Sequence, residues 1–153
     1  MRHHATTLAL VALLAAAGCS SEAPRNSAGA VTASASTNAF AIKIGDCTGK
    51  LATGTIEGAD LLPCDQKHYY EVYAASQMTA ADFPGNDATG EQAEKVCKDE
   101  FIAFIGVTPS KSKYEQFYLS PTAESWTLGD REILCLVGSD NGGISGSLRG
   151  VKK

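Results

Sequence analysis

TGEQAEKVCKDEFIAFIG, residues 89–106, decides the fold. Ala93, Val96, Cys97, Phe101, Phe104 and Ile105 fall on one stripe at helical spacing, while Lys95, Lys98 and Asp99 lie elsewhere around the cylinder. The spacing predicts a helix over 89–105, ended by Gly106. Cys97 lies within the apolar stripe, so its thiol points into the core and needs a partner from a strand beneath. ILCLV, residues 133–137, supplies that strand: Ile133, Cys135 and Val137 share one face, and Leu134 and Leu136 fill the other. Apolar residues on both faces mark a central strand.

Working outward, FAIKIGDC alternates Phe40, Ile42 and Ile44 and predicts a strand that turns at Gly45-Asp46. KLATGTI is a weaker strand candidate. HYYEVYAA, residues 68–75, reads as a third strand, with Tyr70, Val72 and Ala74 opposite Tyr69, Glu71 and Tyr73. Phe83-Pro84-Gly85 is turn chemistry. EQFYL before the central strand and ISGSL after it complete an α+β expectation of order β-β-β-α-β-β-β. In it a small antiparallel or mixed sheet carries one main helix on one face and two disulfides.

The other end of the chain sets an address. Arg2, with His3 and His4, makes a basic start, Leu8 to Ala17 makes an apolar run too short to span a bilayer, and Ala17-Gly18 precede Cys19. This is the pattern of a lipoprotein signal over 1–18, with Cys19 as the lipidated residue; Ala16 departs from the usual Leu or Val, and a plain secretory signal is the competing reading. Residues 19–38, rich in Ser, Ala and Thr, are expected to be a flexible tether, and 39–153 to be the globular domain. The expected place is the outer face of the plasma membrane, held by acyl chains. Removing Arg2 with the signal leaves 12 of the 13 basic residues against 17 acidic ones, so the net charge moves from −4 to −5. That sign argues against nucleic acid as a partner and against docking on anionic lipid by charge alone.

Subtracting Cys19 from five cysteines leaves Cys47, Cys64, Cys97 and Cys135. An even number in an exported chain reads as disulfides, and four cysteines allow three connectivities. The surroundings favour Cys47 with Cys64, around a short hairpin, and Cys97 with Cys135, from helix to central strand. Each such bond contributes about 2–4 kcal/mol. A four-cysteine metal site is disfavoured because no C-x-x-C pair occurs.

His68 is the only histidine left after the signal is removed, so a Ser-His-Asp hydrolase would have to use it. On a strand, Glu71 three residues on would point to the opposite face, which favours a loop-organising His68 over an acid-base pair. No G-x-S-x-G elbow precedes a helix, and Asp46, Glu71 and Asp130 show no spacing that suggests paired carboxylates for glycan cleavage. Thiol exchange would need a free cysteine. Trp126 reads as a packed aromatic, with Asp130 tying its turn through backbone hydrogens or pairing with Arg131 or Arg149. The competing reading makes the tryptophan and an arginine ligand-facing, to stack a sugar and fork a carboxylate. SDNGGISGSLRG follows a strand, leads to no helix and lacks the lysine of a phosphate loop, so it reads as a hairpin turn.

The ordered set of Gly45-Asp46-Cys47, Pro63-Cys64, His68, Glu71, Phe83-Pro84-Gly85, Cys97, Phe101, Pro121-Thr122, Trp126, Gly129-Asp130-Arg131, Cys135 and the closing Gly146-Ser147-Leu148-Arg149-Gly150 resembles the actinobacterial septum-formation domain. That family typically has Pro-His after its second cysteine, whereas Lys67 precedes His68 here. The resemblance implies an extracytoplasmic, membrane-associated domain with a link to division septa, and implies no established reaction or cofactor. The leading expectation is a binding or scaffolding module whose partner is an envelope or division protein or a wall component. The runner-up is an envelope hydrolase or transferase using His68 with a nearby carboxylate.

Overall fold

The computed structural model describes residues 22–153. The signal and the lipidation position Cys19 lie outside them. Six strands, β1 (Ala35–Asn38), β2 (Cys47–Thr48), β3 (Gly58–Leu62), β4 (Tyr70–Gln77), β5 (Glu115–Leu119) and β6 (Glu132–Gly138), form one curled antiparallel sheet in the order β1-β3-β2-β4-β6-β5. A long helix α1 (Asn86–Ile105) covers one face, and a one-turn helix α2 (Ala123–Thr127) joins β5 to β6. The α+β class, the main helix and the central ILCLV strand are as the pattern predicts, with four strands before the helix and two after it instead of three and three.

The two faces of the sheet carry two cores. Under α1, Ala93, Cys97, Phe101, Phe104 and Ile105 pack on Tyr73, Ile133, Cys135 and Val137. Tyr73 meets Phe101 edge-on and donates its hydroxyl to the Cys97 carbonyl, and the hydroxyl's pKa is pushed well up by burial. The ladder between β4 and β6 slips between Val72 and Ala74, so Tyr73 and Ala74 both serve the helix side. On the other face Ile42, Leu61, Tyr70, Val72, Leu134 and Leu136 form the second core inside the curl. Disulfides join Cys47 to Cys64 and Cys97 to Cys135, each pair with Cα atoms 5.2 Å apart, as expected from the cysteine surroundings.

Three expected strands are not strands. Phe40-Ile42-Ile44 gives way to a single 3-10 turn over Ala39–Ala41 and a loop: only Ile42 finds a core to enter, while Phe40 and Ile44 stay exposed. Lys50 to Ile56 is a loop, and the pairing it was expected to supply comes from β3 immediately after it. Gly58 opens β3 because a Cβ there would collide with the Thr37 carbonyl oxygen. ISGSL contributes one bridge, Ile144 to His68, so the glycine-rich segment is no hairpin. It has another task. Gly106 N–H donates to the Ile102 carbonyl, and the chain end brings Gly150 and Lys152 N–H to the carbonyls of Phe104 and Ile105. The last two carbonyls of α1 are thereby satisfied by the closing residues of the chain.

The largest difference lies at 22–38, expected to be a loose tether. Arg25 bridges to Val31, Ala23 and Val31 are buried against the second core, and β1 pairs with β3 through four residues. Arg25 forks the Asp46 carboxylate at 2.5 and 2.8 Å, and Asp46 also accepts from the Lys43 N–H. Small hydroxyl-bearing residues make a poor core by themselves, but one strand ladder and one bidentate ion pair to a carboxylate only 1% exposed are enough to fix them.

Candidate functional site

Four groups of residues meet where β5 ends. Thr122 starts α2 with a capping box: its hydroxyl accepts from the Ser125 N–H at 3.1 Å, and the Ser125 hydroxyl accepts from the Thr122 N–H at 2.9 Å. Asp130 then accepts from the Ser125 hydroxyl at 2.8 Å and from the Glu132 N–H at 3.0 Å, which locks α2 to the start of β6. Opposite stand the loop before β3 and the first turn of α1. Between them lies a groove of about 790 Å³, within the range that holds a ligand or a peptide side-chain row.

The groove mixes apolar flanks with acid. Phe40 at 63% exposure and Leu128 at 79% are uncovered, and Tyr118 shows its ring. Glu57, Glu124, Asp130 and Glu132 line it, with no lysine or arginine among the lining residues. Glu132 is held above the usual carboxylate range, first by partial burial and then by the neighbouring Asp130, with the Gln77 amide offsetting part of that. Thr89 lines the wall at 1% exposure, and its hydroxyl has no hydrogen-bond partner among the described residues. β5 is the last strand in the sheet order, and no backbone group of it bonds outside its ladder with β6 among the described residues. A second hollow of about 380 Å³ continues along the same strand past Tyr118 and Leu119.

The sequence candidates divide. Trp126, Asp130 and Arg131 come together, but only Asp130 reaches the groove. Trp126 is buried, donates to the Ala81 carbonyl at 3.3 Å and meets Phe83 edge-on; the Arg131 guanidinium lies 3.6 Å over its ring and bonds the Trp126 and Asp130 carbonyls. That stack is packed behind the groove as a support. Asp130 takes a hydroxyl and a backbone N–H, with no ion pair to Arg131 or Arg149 among the described residues; Arg149 instead lies 4.6 Å over Phe104.

His68 and Glu71 are elsewhere. His68 is 1% exposed, its Nδ1 is 2.9 Å from the Gln66 carbonyl, and Nε2 has no hydrogen-bond partner among the described residues. The Glu71 carboxylate accepts from the Ser147 hydroxyl at 2.7 Å and the Leu148 N–H at 2.6 Å, so both its oxygens hold the chain end. Among the described residues no three His, Cys, Asp or Glu side chains gather as a metal site. Sequence reasoning misses Thr89, Phe40, Leu128 and Glu132. The available signal is faint: a threonine facing the core at the start of α1, and large apolar residues beside glycines or in turns.

No curated relative and no solved structure matches the chain. The family model described as septum formation matches residues 12–147, which takes in all six strands, both helices, both disulfides and the whole groove. The chain belongs to the septum-formation family.

Proposed function

We propose that this protein is a lipid-anchored binding module of the cell envelope, linked to septum formation, that holds an extended segment of a partner protein along β5. The observation that carries this reading is the groove: an open strand edge beside exposed apolar side chains, with four carboxylates and no cation in the lining. A segment added to β5 would gain main-chain hydrogen bonds, and its alternate side chains would enter the groove, where basic residues meet Glu57, Glu124, Asp130 and Glu132. Septal work needs such a receptor at a fixed place. The export signal and Cys19 supply the address, and the partner is a division or envelope protein with an apolar, basic extracytoplasmic stretch. For a hydrolase or transferase, by contrast, His68 would have to be reachable, and it is buried with Nδ1 engaged.

The test uses two synthetic decapeptides, one alternating valine with lysine and one alternating valine with glutamate. The first is expected to bind the purified protein, more weakly at high salt and more weakly still to an Asp130→Asn, Glu132→Gln variant; the second is expected to bind poorly. Equal binding of the two peptides, or binding untouched by the substitutions, would remove the groove from the reading. In cells, unchanged septa after deletion of the gene would remove the septal link.

A further inference from the structure

The described chain is docked on the domain from its first residues. Ala23 and Val31 are buried against the second core, Arg25 is forked onto Asp46, and Lys43 pairs with Glu22 at 2.6 Å. Only Ser20 and Ser21 separate Cys19 from Glu22. Three extended residues span at most about 10–11 Å between Cα atoms. A lipid on Cys19 therefore holds the Lys43 side of the domain at headgroup depth, whereas a loose tether of twenty residues would let the domain drift about 25 Å away.

That side carries the features that a bilayer interface accepts. Ile44 is 54% exposed beside Lys43, which its pair with Glu22 keeps on this side of the domain, and Phe40 is exposed one short loop earlier. Neither apolar side chain has a core to enter. The opposite face of the sheet is covered by α1, whose Ile102 is exposed on its outer side. We infer that the loop Ala39–Asp46 is a membrane-contact surface: Ile44 rests in the lipid interface next to the anchor, and the Arg25–Asp46 clasp fixes the domain in that orientation. Because Phe40 also lines the groove, the groove opens close to the bilayer, and the segment it receives is a juxtamembrane one. This inference rests on the anchored reading above. It adds to it a fixed orientation, with the acyl chains supplying the attachment.

The experiment takes full-length protein extracted from membranes and reconstituted into phosphatidylcholine–phosphatidylglycerol vesicles, with or without bromine on the acyl chains. Its intact mass reports a diacylglyceryl group on Cys19. Ile44→Trp and Ile102→Trp are compared above the background of Trp126. The emission added at position 44 is expected to fall about two-fold in brominated vesicles, and that at position 102 to stay unchanged. Phe40→Trp serves as a second probe of the same surface. Adding Arg25→Ala to Ile44→Trp should reduce the quenching, since the freed segment lengthens the connection. A lipidated protein in which positions 44 and 102 are quenched alike, or neither is, overturns the contact surface and leaves the anchor standing. Undiminished quenching after Arg25→Ala overturns the clasp as the orienting element. An unlipidated Cys19 overturns the anchored reading and this inference together.

Discussion

The two faces of the sheet are built in different ways. The helix side is continuous: α1 lays an apolar stripe on β4 and β6, a disulfide runs from the middle of that stripe to the middle of β6, and the chain end closes the helix. The inner side of the curl is assembled from fragments distant in sequence, including Ala23, Val31, Ile42 and Leu61, and its outermost layer is held by the β1–β3 ladder and by two ion pairs, Arg25 with Asp46 and Lys43 with Glu22, of which only the first is buried. The first can stand on burial and a covalent link. The second depends on a polar contact that needs both partners. A single domain can thus have a rigid half and a half whose outer layer is releasable, and the groove lies where the loops 39–40 and 54–57 of the second half meet the end of β5 and the start of α1.

Phe101→Ala should break the helix side with the largest effect. The ring is fully buried against Tyr73, and its loss leaves a cavity in the middle of the stripe, at about 3–5 kcal/mol. Urea unfolding followed by circular dichroism checks this. A loss under about 1 kcal/mol would mean that the helix face repacks freely, against its description as the rigid half.

Arg25→Ala should act on the other half alone. Asp46 would keep one backbone N–H and lose two guanidinium bonds while remaining buried, at about 2–3 kcal/mol, somewhat less than for a fully buried pair because Arg25 keeps some solvent contact. The raised pKa of Arg25, which follows first from its bond to Asp46, has the same sign: the arginine's share of this stabilisation is fully present below its ordinary pKa and is lost only as pH rises through the higher folded value. Hydrogen exchange should accelerate over residues 22–38 and β3 while α1 and β6 keep their protection. Uniform acceleration would show that the two cores open as one unit, and the comparison would fail.

This contrast also explains what could be read from the sequence. The helix, β4, β5, β6 and both disulfides announce themselves because periodicity and a cysteine inside an apolar stripe are local signals, and these elements bury what their own residues carry. The inner half gives no such signal. Phe40, Ile42 and Ile44 alternate like a strand, but Gly45 at φ 88° and the docking of Arg25 onto Asp46 make the segment a loop. Arg25 and Asp46 are 21 residues apart, and nothing in the composition of the segment between them says that they meet. The candidate site follows the same rule. Asp130 could be picked out as a turn residue, but the groove needs the end of β5, the loop before β3 and the start of α1 to converge, and convergence is a tertiary fact. Glu71 and the GSLRG segment were visible as motifs, and their role in closing α1 was not.

Arg131→Ala should cost about 1–2 kcal/mol, from the stack on Trp126 and two hydrogen bonds to carbonyls. Because this arginine supports the groove from behind, the valine–lysine peptide should bind the folded variant nearly as well as the parent. A loss of binding larger than the loss of stability would put Arg131 in the groove and return the ligand-facing reading of the pair.

The smallest change in stability is the most informative about the groove. Glu132 is raised above its ordinary 4.5, mainly by partial burial, so its folded form holds a proton more tightly than the unfolded chain does. The sign follows. Whatever Glu132 contributes is fully present below pH 4.5 and is lost as pH rises through the higher folded value, so at neutral pH the ionised carboxylate weakens the fold. Glu132→Gln removes that penalty, and the amide oxygen can still accept from Gln77. The variant should therefore be more stable than the parent at pH 7 by a few tenths of a kcal/mol, discounted for solvent screening, with the gap closing toward pH 4. Urea midpoints at the two pH values measure it. The same substitution should weaken binding of the valine–lysine peptide. A residue whose replacement raises stability and lowers binding is one kept for what it contacts, which is how a functional groove differs from an accidental one. If the stability gain appears without any change in binding, Glu132 is only an unfavourable neighbour of Asp130, and the peptide's lysines must be met by Glu124 on α2 and by Glu57 on the opposite lip.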